Sequence, residues 1–494
     1  MTGALQVVEV TGLPRQDDGR VDLSALRAVL GDVEVLETAR DAAGTEGWSY
    51  VAVRGVARLV ATPTRAGLSH QPMDTAVELL AALPEEADRL RDPLAMLDPL
   101  CEVLGLTPAA HRDASLPAFT GGWLGVLGHD LARTIERLPS LRQPSGQPDM
   151  DLRLVDTVLA WRPDRDAALL MHRPMGAPAP DLVGIRERLT RPRGADTAPP
   201  QPILAPSNQA PQGATSSMGR RHHRDAVERV LGHIAAGDAF QVNVTHRLSA
   251  PWDQDLLALY TALRAASPAA YGAVIPGLAD HGGGLVSVSP ETFLEADGRD
   301  VRVRPIKGTR PRRPLDASAD AAQARELAAS PKDAAENIMV VDMERNDLGR
   351  VCEVGSVRVP RLLEVERHPT VWHLVSTVEG RLRDGIGWGG LLRATFPCGS
   401  VTGTPKVRAL QIIEEIEPVR RGLYCGAIGF LSAGAAHTSV AIRTAVLHPD
   451  GHASYGAGGG IVADSDPDAE WYESLDKAAA FLAATNSRLQ ESDR

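Results

Sequence analysis

The sequence predicts an α+β fold, with large, mostly antiparallel β-sheets packed with helices. Three observations carry this. Short alternating or apolar runs bounded by Gly and Pro outnumber helical ones. The strand candidates follow one another instead of alternating regularly with helices, as a doubly wound parallel sheet requires. A Pro/Ala/Ser/Gln-rich stretch, residues 190–218, divides the 494-residue chain, which is too long for one ordinary core. It separates an N-terminal region, 1–189, from a C-terminal region, 219–488.

Within the N-terminal region, "WSYVAVRGVARLVA", "LRLVDTVLAWRP" and "AALLMHRP" read as strands and "DTAVELLAALPEEADRL" as helical. "FTGGWLGVLGHDLARTIERLP" puts small residues where the chain bends into a helix. The C-terminal region opens with an amphipathic helix, "RRHHRDAVERVLGHIAAGD", ended by Gly237. "FQVNVTHRLSA", "GLVSVSPETFLEA", "DVRVRPI", "GSVRVPRLLEVE", "HLVSTVEGRL", "YCGAIGFLS", "TSVAIRTAVLH" and "HASYGAGGGI" are strand candidates, with helices at about 331–346, 404–416 and 467–484. The final "RLQESDR" reads as a frayed tail.

Bulk properties narrow the function. A net charge of −11 argues against nucleic acid, which needs a basic face. No apolar run approaches the ~18 residues of a membrane span, and the N-terminus has no signal-peptide pattern. Cys101, Cys352, Cys398 and Cys425 form no CxxC pair, so zinc is not expected; scattered thiols suit the cytoplasm.

Of 52 basic residues only Lys307, Lys332, Lys406 and Lys477 are lysines. Guanidinium supplies charge but not a nucleophilic amine, so Lys307 in "RPIKGTRPRR" is either a surface charge beside a turn or a reactive amine. In "SPKDAAENIMVVDMERND", Ser330 caps a helix and Asp333 and Glu336 share a face. In "DSDPDAEWYESLDKAAAF", Glu470, Glu473 and Lys477 share a face. These acids either complement helix N-termini or, from two helices, hold a hard cation such as Mg²⁺. "GAGGGI" is not a dinucleotide loop, since no βαβ unit follows it, though its N–H groups suit a carboxylate. Lys406 opposes its helix dipole and has a local role. His373 on its strand is a core residue or a ligand contact.

Taken in order, "GDAFQVNVTHR", "SPETF", "PIKGTRPR", "SPKDAAENIMVVDMERNDLGRVC", "VWHLVSTVEG", "FPCGSVTGTPKVRALQIIEEIEP", "RGLYCGAIGF", "VAIRT" and "GAGGGIVADSDPDAEWYESLDKA" resemble the chorismate-utilising enzymes, which include anthranilate synthase component I and aminodeoxychorismate synthase component I. The resemblance covers nearly all of 225–485 and implies that family's two-layer sandwich. "PIKGT" is the aminodeoxychorismate synthase form of a motif that reads "PIAGT" in anthranilate synthases. It implies Lys307 as nucleophile at C2 of chorismate and Glu291 as the acid that protonates the departing C4 hydroxyl. The product implied is 4-amino-4-deoxychorismate, a p-aminobenzoate precursor. The resemblance further implies Glu336 and Glu473 as Mg²⁺ ligands, with Asp333 and Glu470 beside them. It implies that Tyr424, Arg443, Gly460, Lys477, His373 and Ser400 line the substrate. It also implies a separate glutamine amidotransferase subunit that supplies ammonia. Anthranilate synthesis and a non-catalytic chorismate-binding paralogue are the alternatives. Thr404, Cys398, His437 and His129 depart from the family's usual residues.

Overall fold

The computed structural model describes residues 4–16, 20–38, 47–73, 76–191, 212–279, 281–368 and 370–490. Its frame is two antiparallel sheets laid face to face. One runs through strands Gln6–Thr11, Ala167–His172, Met150–Trp161, Ser49–Thr62, Val35–Thr38, Tyr271–Ile275, Gly284–Ser289, Thr444–Leu447, His452–Ile461 and Gln241–Pro251. The other runs through Arg65–His70, Ser49–Thr62, Met150–Trp161, Gly122–Leu127, Ala427–Ser432, Ala435–Val440, Thr292–Asp297, Asp300–Val303 and Val371–Arg381. Ile306–Pro311 and Arg358–Arg367 also pair with Val371–Arg381.

Ser49–Thr62 and Met150–Trp161 belong to both sheets. Their register slips between Ala52 and Ala57, and such bulges let a strand bend from one layer into the next. Phe119, Leu124, Val126, Ile428 and Phe430 meet Ala273, Ile275, Leu285 and Val446 in the space between the sheets. Helices cover the outer faces. Leu256–Ala266 and Pro467–Ala484 pack on one, through residues such as Leu259 and Phe481. Leu97–Leu104, Pro331–Gly349 and Trp388–Thr395 pack on the other. Arg220–Ala235 and Lys406–Ile416 flank Gln241–Pro251. The expected α+β class with antiparallel sheets is therefore observed.

The two regions of sequence share these sheets. Tyr271–Ile275 pairs with Val35–Thr38, and Ala427–Ser432 pairs with Gly122–Leu127. Residues 192–211 of the proline-rich stretch lie outside the described residues. Its end, Gln212–Ser216, is a strand. That strand pairs in parallel with Ser487–Leu489, so the start of the expected frayed tail is ordered by a partner distant in sequence. "FTGGWLGVLGHDLARTIERLP" begins as the buried strand Gly122–Leu127 before turning into the short helix Ala132–Ile135, because both strand faces are covered. "DTAVELLAALPEEADRL" is two helices, Ala76–Ala81 and Glu86–Arg91, with Pro84 between them.

Trp388 fixes the two regions to each other. It is fully buried, and its indole N–H donates to the Leu106 carbonyl at 2.5 Å and the Ser432 carbonyl at 3.2 Å. Asp98 caps the same helix across regions, accepting from the Gly389 N–H at 2.6 Å and the Gly390 N–H at 3.0 Å. Trp388→Ala is expected to cost about 3–5 kcal/mol, read as a lowered urea midpoint.

Candidate active site

The site is built on a bare strand. His452–Ile461 carries Gly456, Gly458, Gly459 and Gly460. A Cβ on Gly460 would run into the Gln241 amide and lie 3.4 Å from Lys307 Nζ. One on Gly459 would lie 2.9 Å from Glu470 Oε2, 3.6 Å from Lys477 Nζ and 3.9 Å from Glu473 Oε1. One on Gly456 would enter the Tyr424 ring. The glycines thus leave the space into which the expected nucleophile, carboxylates and aromatic converge.

Lys307 lies on Ile306–Pro311, where pairing with Val371–Arg381 slips between Ile306 and Thr309. Gly308 follows at φ +89°, with no room for a side chain because Asp333 and Leu327 stand against it. The bulge re-aims Lys307, as bulges beside active sites do. Its Nζ donates to the Ser400 carbonyl at 3.2 Å. Glu291 is 5% exposed, with one oxygen, Oε1, lacking a hydrogen-bond partner. Burial raises its pKa; a hydrogen bond from Ser400 and the charges of Lys307 and Lys477 act in the other direction. The result is a carboxyl that holds its proton more tightly than an ordinary glutamate, which suits general-acid work.

The four acids expected at a metal come from two helices. Burial raises the pKa of Glu336, which Lys307 and Lys332 oppose and Asp333 and Glu473 reinforce. Glu473 is lowered, first by Lys477, to which it is paired at 2.8 Å. Glu470 is raised by burial and accepts the Ser465 hydroxyl at 2.7 Å. Asp333 accepts from Arg310 at 3.1 Å, which ties it toward that guanidinium. Among the described residues no three acid, His or Cys side chains form a closed metal cage. Mg²⁺ does not need one, because it binds through one or two carboxylates and keeps water. Glu336 and Glu473, whose charges act on each other from two different helices, are the oxygen donors that fit.

His373 is buried, receives or gives a hydrogen bond with Thr309 Oγ1 at 3.0 Å, and is pushed down to about 3, chiefly by burial. It is therefore a neutral ring. Arg443 takes φ 49° and donates to Ser267 Oγ at 2.7 Å. Burial keeps the Tyr424 hydroxyl protonated.

Residues 72–483 match the family model of chorismate binding enzymes. The chain belongs to this family. It is 43% identical over 381 residues to anthranilate synthase component 1 of Streptomyces coelicolor, covering 75% of this chain and 73% of that protein. It is 40% identical over 396 residues to aminodeoxychorismate synthase component 1 of Salmonella typhimurium, covering 80% and 82%. Among solved structures, anthranilate synthase component I from Streptococcus pneumoniae superposes with a TM-score of 0.71 at 28% identity, covering 88% of this chain and 92% of that one. The family resemblance read from the motifs is borne out. Relatives of both names match, so the choice between them rests on the site's own residues.

Two residues of this chorismate-family site escaped motif reading. Gln241 is 1% exposed, and both its amide atoms lack partners where it faces Gly460. Glu344, 1% exposed, lies behind Ser400 and accepts from the Gly399 N–H at 3.1 Å. Both stand inside quoted motifs, but only burial distinguishes them from solvated polar residues. Of the departures, Thr404 rests on Met343 Sδ at 3.8 Å and His437 pairs with Glu295 at 3.4 Å; both lie off the glycine strand. Gly460→Ala is expected to weaken chorismate binding or turnover by at least about tenfold. The melting midpoint should stay near wild type, checked by calorimetric titration and thermal unfolding.

Proposed function

We propose that the chain is an aminodeoxychorismate synthase component I, converting chorismate and ammonia to 4-amino-4-deoxychorismate and water. The observation that carries the reading is Lys307. It is an amine on a bulge, with its Nζ beside the Gly460 backbone and Ser400, near a buried carboxyl whose pKa burial raises. Attack by the free amine forms an Nζ–C2 bond. The ring double bonds shift, and the C4–O bond breaks as Glu291 protonates the leaving hydroxyl to water. Ammonia then bonds to C4, the double bonds shift back, and the Nζ–C2 bond breaks. The new ammonium returns a proton to Glu291, and the enolpyruvyl ether is retained.

Tyr424 and Arg443 would hold the enolpyruvyl carboxylate, with Arg443 offering a bidentate fork. Neutral His373 and Ser400 would line the ring. Glu336 and Glu473, supported by Glu470 and Asp333, would hold Mg²⁺. Bound there, the ion would neutralise the ring carboxylate and orient the substrate. The component 1 names of the relatives support a glutamine amidotransferase partner as the ammonia source. With ammonium salts in its place, the chain alone is expected to aminate chorismate.

Amination at C2 with loss of pyruvate is the second reading, favoured by the identity to the Streptomyces anthranilate synthase. Incubation with chorismate, Mg²⁺ and ammonium separates the two. The expected product retains its pyruvyl group by mass; fluorescent anthranilate with free pyruvate would overturn the proposal. Lys307→Ala should abolish 4-amino-4-deoxychorismate formation, a loss of at least about 10³-fold, while chorismate binding remains measurable. Because the Glu291 pKa is raised, its acid form persists above the ordinary carboxylate range and is lost as pH rises further. The rate is therefore expected to fall on the alkaline side, and Glu291→Gln to lower kcat about 10²–10⁴-fold, measured across a pH series.

A further inference from the structure

A second carboxyl stands behind Glu291. Glu344 lies within the helix Pro331–Gly349 yet is 1% exposed, and its Oε2 has no hydrogen-bond partner. Its Oε1 accepts from the Gly399 N–H at 3.1 Å and faces the Cys398 thiol at 3.8 Å. Cys398 Sγ lies 3.3 Å from Ser400 Oγ, and the Ser400 hydroxyl is hydrogen-bonded to Glu291. Ser400 also accepts from Lys307 through its carbonyl. A string of donors and acceptors therefore joins two buried carboxyls through Cys398 and Ser400. The mechanism above uses neither Glu344 nor Cys398.

The cation that faces Glu344 is Lys406, and Glu344 shares it with Asp347. Lys406 is bonded to Asp347 at 2.5 Å and to the Thr395 carbonyl at 2.8 Å. Asp347 and Glu291 are both acids facing Glu344, while Glu291 faces Lys307 and Lys477. A buried carboxylate with a free oxygen is costly, and a proton removes the cost.

We propose that Glu344 is a positioning residue that shares a proton with Glu291 through the Cys398 thiol and the Ser400 hydroxyl, keeping the acid charged with its proton until the substrate takes it. The inference rests on Glu291 acting as the acid. With the proton on Glu291, Glu291 donates to Ser400, Ser400 to the Cys398 sulfur, and the thiol to the Glu344 carboxylate. One transfer along the string reverses each donor, leaves Ser and Cys unchanged and puts the proton on Glu344. In turnover Glu291 gives a proton to the departing hydroxyl and recovers one from the ammonium formed at C4, so the string ends as it began. Burial first, then the Asp347 charge, holds Glu344 well above the ordinary carboxylate range, in keeping with this.

The test is a pH series of the amination with the full chain, beside a carbon NMR titration of glutamate side-chain carboxyls. The two carboxylate charges repel each other, so in the form with the proton on Glu291, removing the Glu344 charge is expected to lower the Glu291 pKa. Glu344→Gln should therefore move the alkaline limb of kcat to lower pH. The rate on that limb should drop about tenfold per unit moved, with KM for chorismate unchanged. Cys398→Ala should move the limb the same way by less, and Cys398→Ser, which restores a donor and acceptor, should return it. The Glu291 carboxyl resonance should titrate at lower pH in both shifted variants. If Glu344→Gln does not fold, Cys398→Ala and Cys398→Ser carry the comparison. An unmoved limb together with an unmoved Glu291 titration overturns the proposal. The NMR titration needs no turnover. A moved titration in a protein that makes a different chorismate product would sink the proposed reaction and keep the shared proton.

Discussion

The candidate active site depends on an absence of side chains. Gly456, Gly459 and Gly460 line both faces of one strand, and atoms from four other elements occupy the space their Cβ atoms would take. Lys307 comes from a bulged strand, Glu470, Glu473 and Lys477 from a C-terminal helix, Gln241 from a neighbouring strand, and Tyr424 from a loop. A methyl group at any of these glycines would separate groups whose chemistry requires them within a few ångströms. The strand can be so bare because its neighbours hold it. It pairs over its full length with Gln241–Pro251, and backbone pairing supplies the rigidity that side-chain packing cannot.

Burial then gives these groups their properties. The same desolvation that raises Glu291, Glu336 and Glu470 lowers His373, so the site gathers carboxyls that resist ionising and a histidine that stays neutral. Lysines offset this locally. Lys477 is bonded to Glu473 and to the Gly458 carbonyl, and it lowers that one acid's pKa where burial raises its neighbours'. Acids of unequal proton affinity within one cleft are the usual basis for dividing acid, base and ligand roles.

Much of this was legible in the sequence because the relevant residues sit in short, dense words. "PIKGT", "SPETF" and "GAGGGI" name residues that the fold brings to one place. The helices at 331 and 467 announce themselves through Ser330 and Asp466, each capping just before a proline. What stayed hidden was long-range. Alternation identifies Ser49–Thr62 as a strand, but not that it bends and serves two sheets. Helical periodicity would leave Glu344 among the solvated acids of its helix. Only the approach of Gly399, from 55 residues further along the chain, encloses it. The Asp333–Arg310 contact likewise depends on a strand and a helix meeting, which spacing does not encode.

The shared sheets constrain how this protein can be divided. A C-terminal fragment starting at residue 219 would keep every proposed catalytic side chain. It would also leave Tyr271–Ile275 and Ala427–Ser432 each with a bare hydrogen-bonding edge where Val35–Thr38 and Gly122–Leu127 now lie. Unpaired edges of buried, apolar strands recruit other chains. The N-terminal strands therefore act as a built-in guard against self-association for the half of the chain that carries the proposed catalytic residues.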